Sequence, residues 1–194
     1  FERANWFTKD GIKAEYQYSY KRQNWFKFYA EEHLAIRKSV GIYDISSFGK
    51  FRVTGRNAWQ KLQYISCANI DVEPGKVVYT QWLNERGGIE ADLTITRLSE
   101  DTFDVITSIS SLKRDWSYLQ QYLKNDSQST NITLDYGCLS VQGPQSRNLL
   151  QALVDVDLSN DHFKFSTGKY TQLLGIKIWI QKLSYVGELG WELF

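Results

Sequence analysis

The stretch Tyr79-Thr80-Gln81-Trp82-Leu83-Asn84-Glu85-Arg86-Gly87-Gly88-Ile89-Glu90-Ala91-Asp92-Leu93 decides the fold class. Two runs of aliphatic, aromatic and β-branched residues flank Asn84 to Gly88, where the glycines supply the backbone freedom that a tight reversal demands. The second run alternates. Ile89, Ala91, Leu93 and Ile95 fall on one side and Glu90, Asp92, Thr94 and Thr96 on the other, the two-residue period of a half-buried strand. The spacing predicts a hairpin with arms over 76–83 and 89–98, entered through the turn Pro74-Gly75. Asp92 is expected on the polar face, facing a cleft, with Tyr79 or Thr80 opposite it depending on register.

The pattern extends outward on both sides. Upstream, 25–40 reads as a helix with Phe26, Ala30, Leu34, Arg37 and Val40 near one face and Gly41 as its stop. A strand pair over 42–45 and 50–54 follows, then a helix over 58–65 from the repeat Ala58, Leu62, Ile65. Downstream, a strand over 103–107 leads to a helix capped by Ser110 or Ser111, with Leu112, Trp116, Leu119 and Leu123 in one stripe. A polar loop over 125–131 precedes strands at 132–136 and 139–141. Gly143-Pro144 opens a helix reaching about 154, and strands over 169–174, 176–183 and from Trp191 complete the chain. Hairpins join neighbours and no regular βαβ alternation appears, which predicts α+β.

Composition narrows the function classes. Lys+Arg number 23 against Asp+Glu 22 in 194 residues, and no run of like charge suggests a nucleic-acid or polybasic membrane surface. No apolar stretch is long enough to suggest a membrane span. The two cysteines, Cys67 and Cys138, make neither a disulfide framework nor a zinc cluster, and both read as buried structural thiols. His33 and His162 are too far apart to suggest a metal site, so no metal ligand set is expected. Phosphate-binding GxxxxGK[ST] and GxGxxG loops are missing. Phe1 at the start, the lack of Met and the ending Trp-Glu-Leu-Phe inside an apparent strand suggest an internal piece of a longer polypeptide.

What remains is acidic and aromatic residues at glycine turns. Besides the hairpin there is Ser184-Tyr185-Val186-Gly187-Glu188-Leu189-Gly190-Trp191-Glu192, where glycines on both sides of Glu188 would let backbone approach a flat ligand closely. From the residues alone, Asp92 also fits a solvated hairpin carboxylate, and Gly187 to Gly190 a simple tight turn.

Six phrases in order carry a resemblance over essentially the whole chain. They are Phe1-Glu2-Arg3-Ala4-Asn5-Trp6-Phe7, Tyr43-Asp44-Ile45-Ser46-Ser47-Phe48-Gly49-Lys50-Phe51, Tyr79-Thr80 with Leu83-Asn84, Gly87-Gly88, Gly143-Pro144, and Gly187-Glu188-Leu189-Gly190-Trp191-Glu192. The chain resembles the folate-binding domain shared by glycine-cleavage T-protein and the C-terminal half of dimethylglycine and sarcosine dehydrogenases. The stretch 157–167 looks especially like sarcosine dehydrogenase. Ala4 replaces a proline of the dehydrogenase opening, a departure at the linker and not at the site.

The resemblance implies an aminomethyltransferase-like α+β fold with mixed or antiparallel sheets and flanking helices, incomplete at both ends. It implies a connector over 1–23 after an upstream flavin domain, and a folate-binding domain over 24–194. The implied activity is the tetrahydrofolate half of an FAD-dependent N-methyl amine dehydrogenase acting on sarcosine or dimethylglycine. The carbon would be captured as 5,10-methylenetetrahydrofolate, with FAD held only in the upstream part of the same polypeptide. Asp92 matches the acidic residue near the folate nitrogens, and Glu188 the buried carboxylate that accepts paired pterin donors. Tyr79 and Tyr185 match pocket aromatics. Ser108 stands where T-protein usually carries an asparagine that contacts folate. The implied compartment is the mitochondrial matrix or a bacterial cytoplasm, with no nucleic-acid or membrane partner. A non-catalytic alternative is the regulatory subunit of pyruvate dehydrogenase phosphatase, which Tyr20-Lys21-Arg22-Gln23-Asn24-Trp25-Phe26 resembles. The wording of 187–192 and Tyr79-Thr80 follows the dehydrogenases instead. An independent T-protein is disfavoured by the opening phrase.

Overall fold

The computed structural model describes residues 4–9, 11–13, 15–123, 127–185 and 188–194. In chain order its elements are α1 (Phe26–Lys38), β1 (Gly41–Asp44), β2 (Gly49–Thr54), α2 (Ala58–Ile65), β3 (Val77–Leu83), β4 (Ile89–Ser99), β5 (Thr102–Thr107), α3 (Leu112–Tyr122), β6 (Gln128–Asn131), β7 (Leu139–Gln142), α4 (Ser146–Gln151), β8 (Thr167–Leu173), β9 (Ile176–Lys182) and β10 (Gly190–Leu193). The strands make two five-stranded sheets, one ordered β3-β4-β5-β2-β6 and the other β1-β7-β10-β9-β8. Every pairing in both is antiparallel.

The β3–β4 hairpin forms as the alternation predicts. Asn84 builds its turn: the Asn84 Oδ1 accepts from the backbone N–H groups of Arg86 and Gly88, while Nδ2 donates to Glu90 Oε1 at 2.7 Å. Gly87 sits at φ 76°, a conformation costly for other residues.

One face of this sheet makes the larger core. Phe51, Val53, Trp82, Ala91, Leu93, Ile95, Phe103 and Val105 pack beneath Ala58, Leu62 and Ile65 of α2 and Leu119 of α3. A second core gathers Val141, Leu150, Leu158, Phe163, Ile180, Trp191 and Leu193. The outer face of the first sheet turns toward the second sheet. The two are stitched where β3 begins, by Val77 N–H to the Ser166 carbonyl at 2.9 Å and Gly168 N–H to the Gly75 carbonyl at 2.7 Å.

Several expectations are corrected. β1 and β2 do not pair; β1 joins β7, and β2 lies between β5 and β6. The polar stretch expected as a loop contains β6, which adds to the β2 edge through backbone bonds that need no apolar side chains. Residues 132–136, expected as a strand, turn instead, with Asp135 N–H bonded to the Ile132 carbonyl at 3.1 Å. The helix after Pro144 is confined to α4. No residue of α1 is buried, although its apolar spacing is helical. Ser111 holds the N-cap position of α3, but its hydroxyl donates to Asp115 Oδ2 at 2.6 Å rather than accepting a backbone N–H. Lys50 is fully buried in β2, and its ammonium donates to the carbonyls of Ser46 at 2.7 Å and Phe48 at 3.1 Å. Those bonds fasten the 45–48 turn against the sheet.

Candidate functional site

The polar face of the hairpin carries the first part of the site. Asp92 is exposed on β4 and lies opposite Gln81, not Tyr79 or Thr80; Tyr79 opposes Thr94, and Thr80 is buried. An irregularity between Trp82 and Leu83 shifts the pairing by one residue and sets this register. Sequence pattern gives no sign of it, and for that reason Gln81 escapes a sequence reading. Gln81 Nε2 donates to Asp92 Oδ1 at 3.0 Å. Tyr79 is a diagonal neighbour of Asp92 on the same face, and interaction with that carboxylate holds the phenol above the ordinary tyrosine pKa. Tyr185 adds a smaller electrostatic effect on Tyr79. Neither ring is packed: Tyr79 is 64% and Tyr185 94% exposed. Tyr79, Gln81 and Asp92 share one face of the hairpin, and Tyr185 acts electrostatically on Tyr79.

Cys67 joins this group unexpectedly. It is exposed, correcting the expectation of two buried thiols, whereas Cys138 is buried as expected. The 66–68 segment runs along the free edge of β3, held by Cys67 N–H to the Gln81 carbonyl at 3.0 Å and Ala68 N–H to Thr80 Oγ1 at 3.0 Å. That places the Cys67 thiol 3.2 Å from Gln81 Oε1. Hydrogen bonds from the Gln81 backbone and the Thr80 side chain lower its pKa.

The remaining candidates are Ser108 and Glu188. Continuing the β4–β5 register past Thr94 and Ile106 sets Ser108 across from Asp92. The Ser108 hydroxyl is 2.8 Å from that of Ser110. Glu188 is exposed just before β10, not buried as the resemblance implies, because it sits on the turn ahead of the strand. Val186 and Gly187 lie outside the described residues. The turn is anchored by Gly143 N–H to the Leu189 carbonyl at 2.8 Å. A Cβ at Gly190 would run into the Gln142 amide, so any larger residue there would have to displace that side chain. Gln142 Oε1 and Ser184 Oγ are buried beside this turn with no hydrogen-bond partner.

Between the sheets, along the same face as Asp92, is a cavity of about 200 Å³ whose lining includes Arg52, Thr96, Asp104, Tyr170, Trp179 and Gln181. Arg52 and Asp104 neutralise one another through two bonds of 2.8 Å. Gln181 bridges the sheets: Thr96 Oγ1 and Trp179 Nε1 each donate to its Oε1 at 3.1 Å, and its Nε2 donates to Glu192 Oε2 at 2.9 Å. Burial pushes the Glu192 carboxyl above the ordinary range. Among the described residues no cluster of His, Cys, Asp and Glu could hold a metal ion, and no helix is long and apolar enough to cross a membrane.

Comparison with known proteins places this geometry. The family described as the GCVT N-terminal domain matches residues 1–194. The chain is 39% identical, over all of its length, to 24% of 4-methylaminobutanoate oxidase (formaldehyde-forming) from Paenarthrobacter nicotinovorans. It is 36% identical, over all of its length, to 23% of mitochondrial dimethylglycine dehydrogenase from Rattus norvegicus. It therefore spans about a quarter of the length of these relatives. Among solved structures, glycine cleavage system aminomethyltransferase T from Bartonella henselae superposes with a TM-score of 0.75 at 27% identity, covering 92% of this chain and 49% of that one. The α+β architecture of paired antiparallel sheets and flanking helices is the aminomethyltransferase fold, and the chain belongs to the GCVT N-terminal domain family.

Proposed function

We propose that these residues form the tetrahydrofolate-binding part of an FAD-dependent N-methyl amine dehydrogenase. In this reading it acts within a longer polypeptide whose upstream part holds FAD and oxidises an amine such as sarcosine or dimethylglycine. The carbon released there is captured here as 5,10-methylenetetrahydrofolate. The observation that carries the reading is the exposed Asp92 carboxylate, bonded to Gln81 beside the unpacked ring of Tyr79, with the exposed Tyr185 as a second aromatic. Relatives named as an oxidase and a dehydrogenase of N-methyl amines support it.

The residues present fit a reduced folate. Flat phenols suit a flat heterocycle, and carboxylates suit its N–H donors. The partnerless Gln142 Oε1 and Ser184 Oγ leave hydrogen-bonding capacity beside the Glu188 turn. Tetrahydrofolate, when bound, supplies the nitrogens that accept the carbon. Glu188 orients the pterin edge by accepting a pair of donors, and Tyr79 and Tyr185 flank the ring. Asp92 takes and holds a proton at its carboxylate as the carbon is transferred. Ser108, across the strand from Asp92, offers a hydroxyl to the same ligand.

The test is calorimetric titration of the full polypeptide with tetrahydrofolate. Saturable binding that Glu188→Gln weakens is expected. If the unsubstituted protein takes up no folate, the enzymatic reading falls and a non-catalytic regulatory module takes its place.

A further inference from the structure

The Gln81 amide meets both Asp92 and Cys67, and together they fix which way it points. A carboxylate oxygen only accepts, so the end facing Asp92 must be the nitrogen, as the 3.0 Å contact from Nε2 to Oδ1 requires. That leaves Oε1 toward Cys67, where the thiol donates across 3.2 Å. Turning the amide over would set its carbonyl oxygen against the Asp92 carboxylate and its nitrogen against a sulfur that accepts weakly. The thiol is itself placed by backbone, through Cys67 N–H to the Gln81 carbonyl, and so does not depend on the side chain it orients.

We propose that Gln81 is a positioning residue for Asp92 and that the Cys67 thiol sets the orientation of its amide. The proposal rests on the reading of Asp92 as the carboxylate that works on bound folate. Asp92 stands exposed on a strand, where its carboxylate would otherwise rotate freely. With the Gln81 amide bonded to it and Tyr79 as a diagonal neighbour on the same face, the carboxylate is held before the ligand arrives, which lowers the orientational cost of the transfer. The Cys67 thiol is the far end of this chain, so a change of its donor capacity reaches Asp92 through one amide. An ordinary cross-strand pair that only steadies the hairpin would not do this.

The experiment uses the full polypeptide with Gln81→Leu, Gln81→Glu, Cys67→Ala and Cys67→Ser, and Asp92→Asn as reference. Three quantities are read: the dissociation constant for tetrahydrofolate, the rate of carbon capture on it, and the rate at which iodoacetamide alkylates Cys67 without folate. Gln81→Leu should slow capture about ten- to hundredfold while the dissociation constant stays within about twofold, the size expected for one hydrogen bond to a charged group. Its alkylation should quicken by about two- to tenfold, because the thiol loses the acceptor that favours its protonated form. Gln81→Glu should slow both capture and alkylation, since a carboxylate repels Asp92 and disfavours the thiolate. Cys67→Ala should slow capture several-fold, and Cys67→Ser, which keeps a donor, should recover it. Capture and alkylation unchanged in Gln81→Leu, with Asp92→Asn slow, would overturn the proposal and leave the role of Asp92 standing. Capture unchanged in Asp92→Asn as well would remove the role of Asp92 itself. If Gln81→Leu does not fold, the near-isosteric Gln81→Glu and the cysteine pair decide in the same way.

Discussion

Asp92 and Glu188 are both exposed carboxylates, yet their surroundings ask different things of them. Asp92 accepts a hydrogen bond from the Gln81 amide of its own hairpin, so it is oriented without a ligand. Glu188 is exposed just ahead of β10, and in the proposed reading its geometry is completed by the ligand. Replacing Glu188 with Gln substitutes an N–H for one acceptor oxygen and sets two donors against each other. The loss should be about 1.5–3 kcal/mol of folate binding, roughly ten- to hundredfold in affinity by titration. Asp92→Asn should leave the melting temperature almost unchanged, because the side chain is exposed and contributes nothing to either core. If Asp92→Asn unfolds the protein, its role is structural. Both carboxylates could be picked out in the sequence, where glycine turns and strict alternation mark them, although only the family resemblance gives them roles. Gln81 and Cys67 could not, because their partnership depends on a one-residue slip in pairing and on a segment docked along an edge.

At the scale of elements, apolar spacing was the reliable guide and backbone-only pairing the blind spot. The stripe of α3 was legible, and Leu119 is fully buried beneath it. Leu119→Ala should cost about 2–5 kcal/mol, measured by denaturant unfolding. The hairpin was legible from its loop, and Asn84 accepts two backbone N–H groups there. Asn84→Ala should therefore cost about 1–2 kcal/mol, and the melting temperature should report it. By contrast, β6 is a strand made of Gln128, Ser129, Thr130 and Asn131, whose polar side chains carry no periodic apolar signal. In α1 the apolar spacing was present but buries no residue, so periodicity alone overstated its packing.

At the scale of the molecule, the two sheets meet through Gln181, and the pH dependence of stability should report that contact. Burial raises the Glu192 carboxyl, so between the ordinary glutamate value of about 4.3 and its raised value the folded protein holds more proton than the unfolded chain. The resulting stabilisation is complete below the lower value and is lost as pH rises through the upper one. Glu192→Gln keeps an acceptor for Gln181 and should flatten this slope, seen as a smaller fall in melting temperature over the acidic range. An unchanged slope would mean that Glu192 titrates as an ordinary surface carboxylate.

The central claim is that this fold catches a carbon on folate through Asp92, and the fate of the carbon tests it most directly. The full polypeptide is given sarcosine or dimethylglycine labelled in the N-methyl group, with tetrahydrofolate present, and the label is divided between the folate fraction and free formaldehyde. The account predicts that most label is carried on folate by the unsubstituted protein. In Asp92→Asn it should shift toward free formaldehyde, with the rate of amine oxidation and the folate affinity largely retained. An unchanged division of label in Asp92→Asn, with folate still bound, would contradict it.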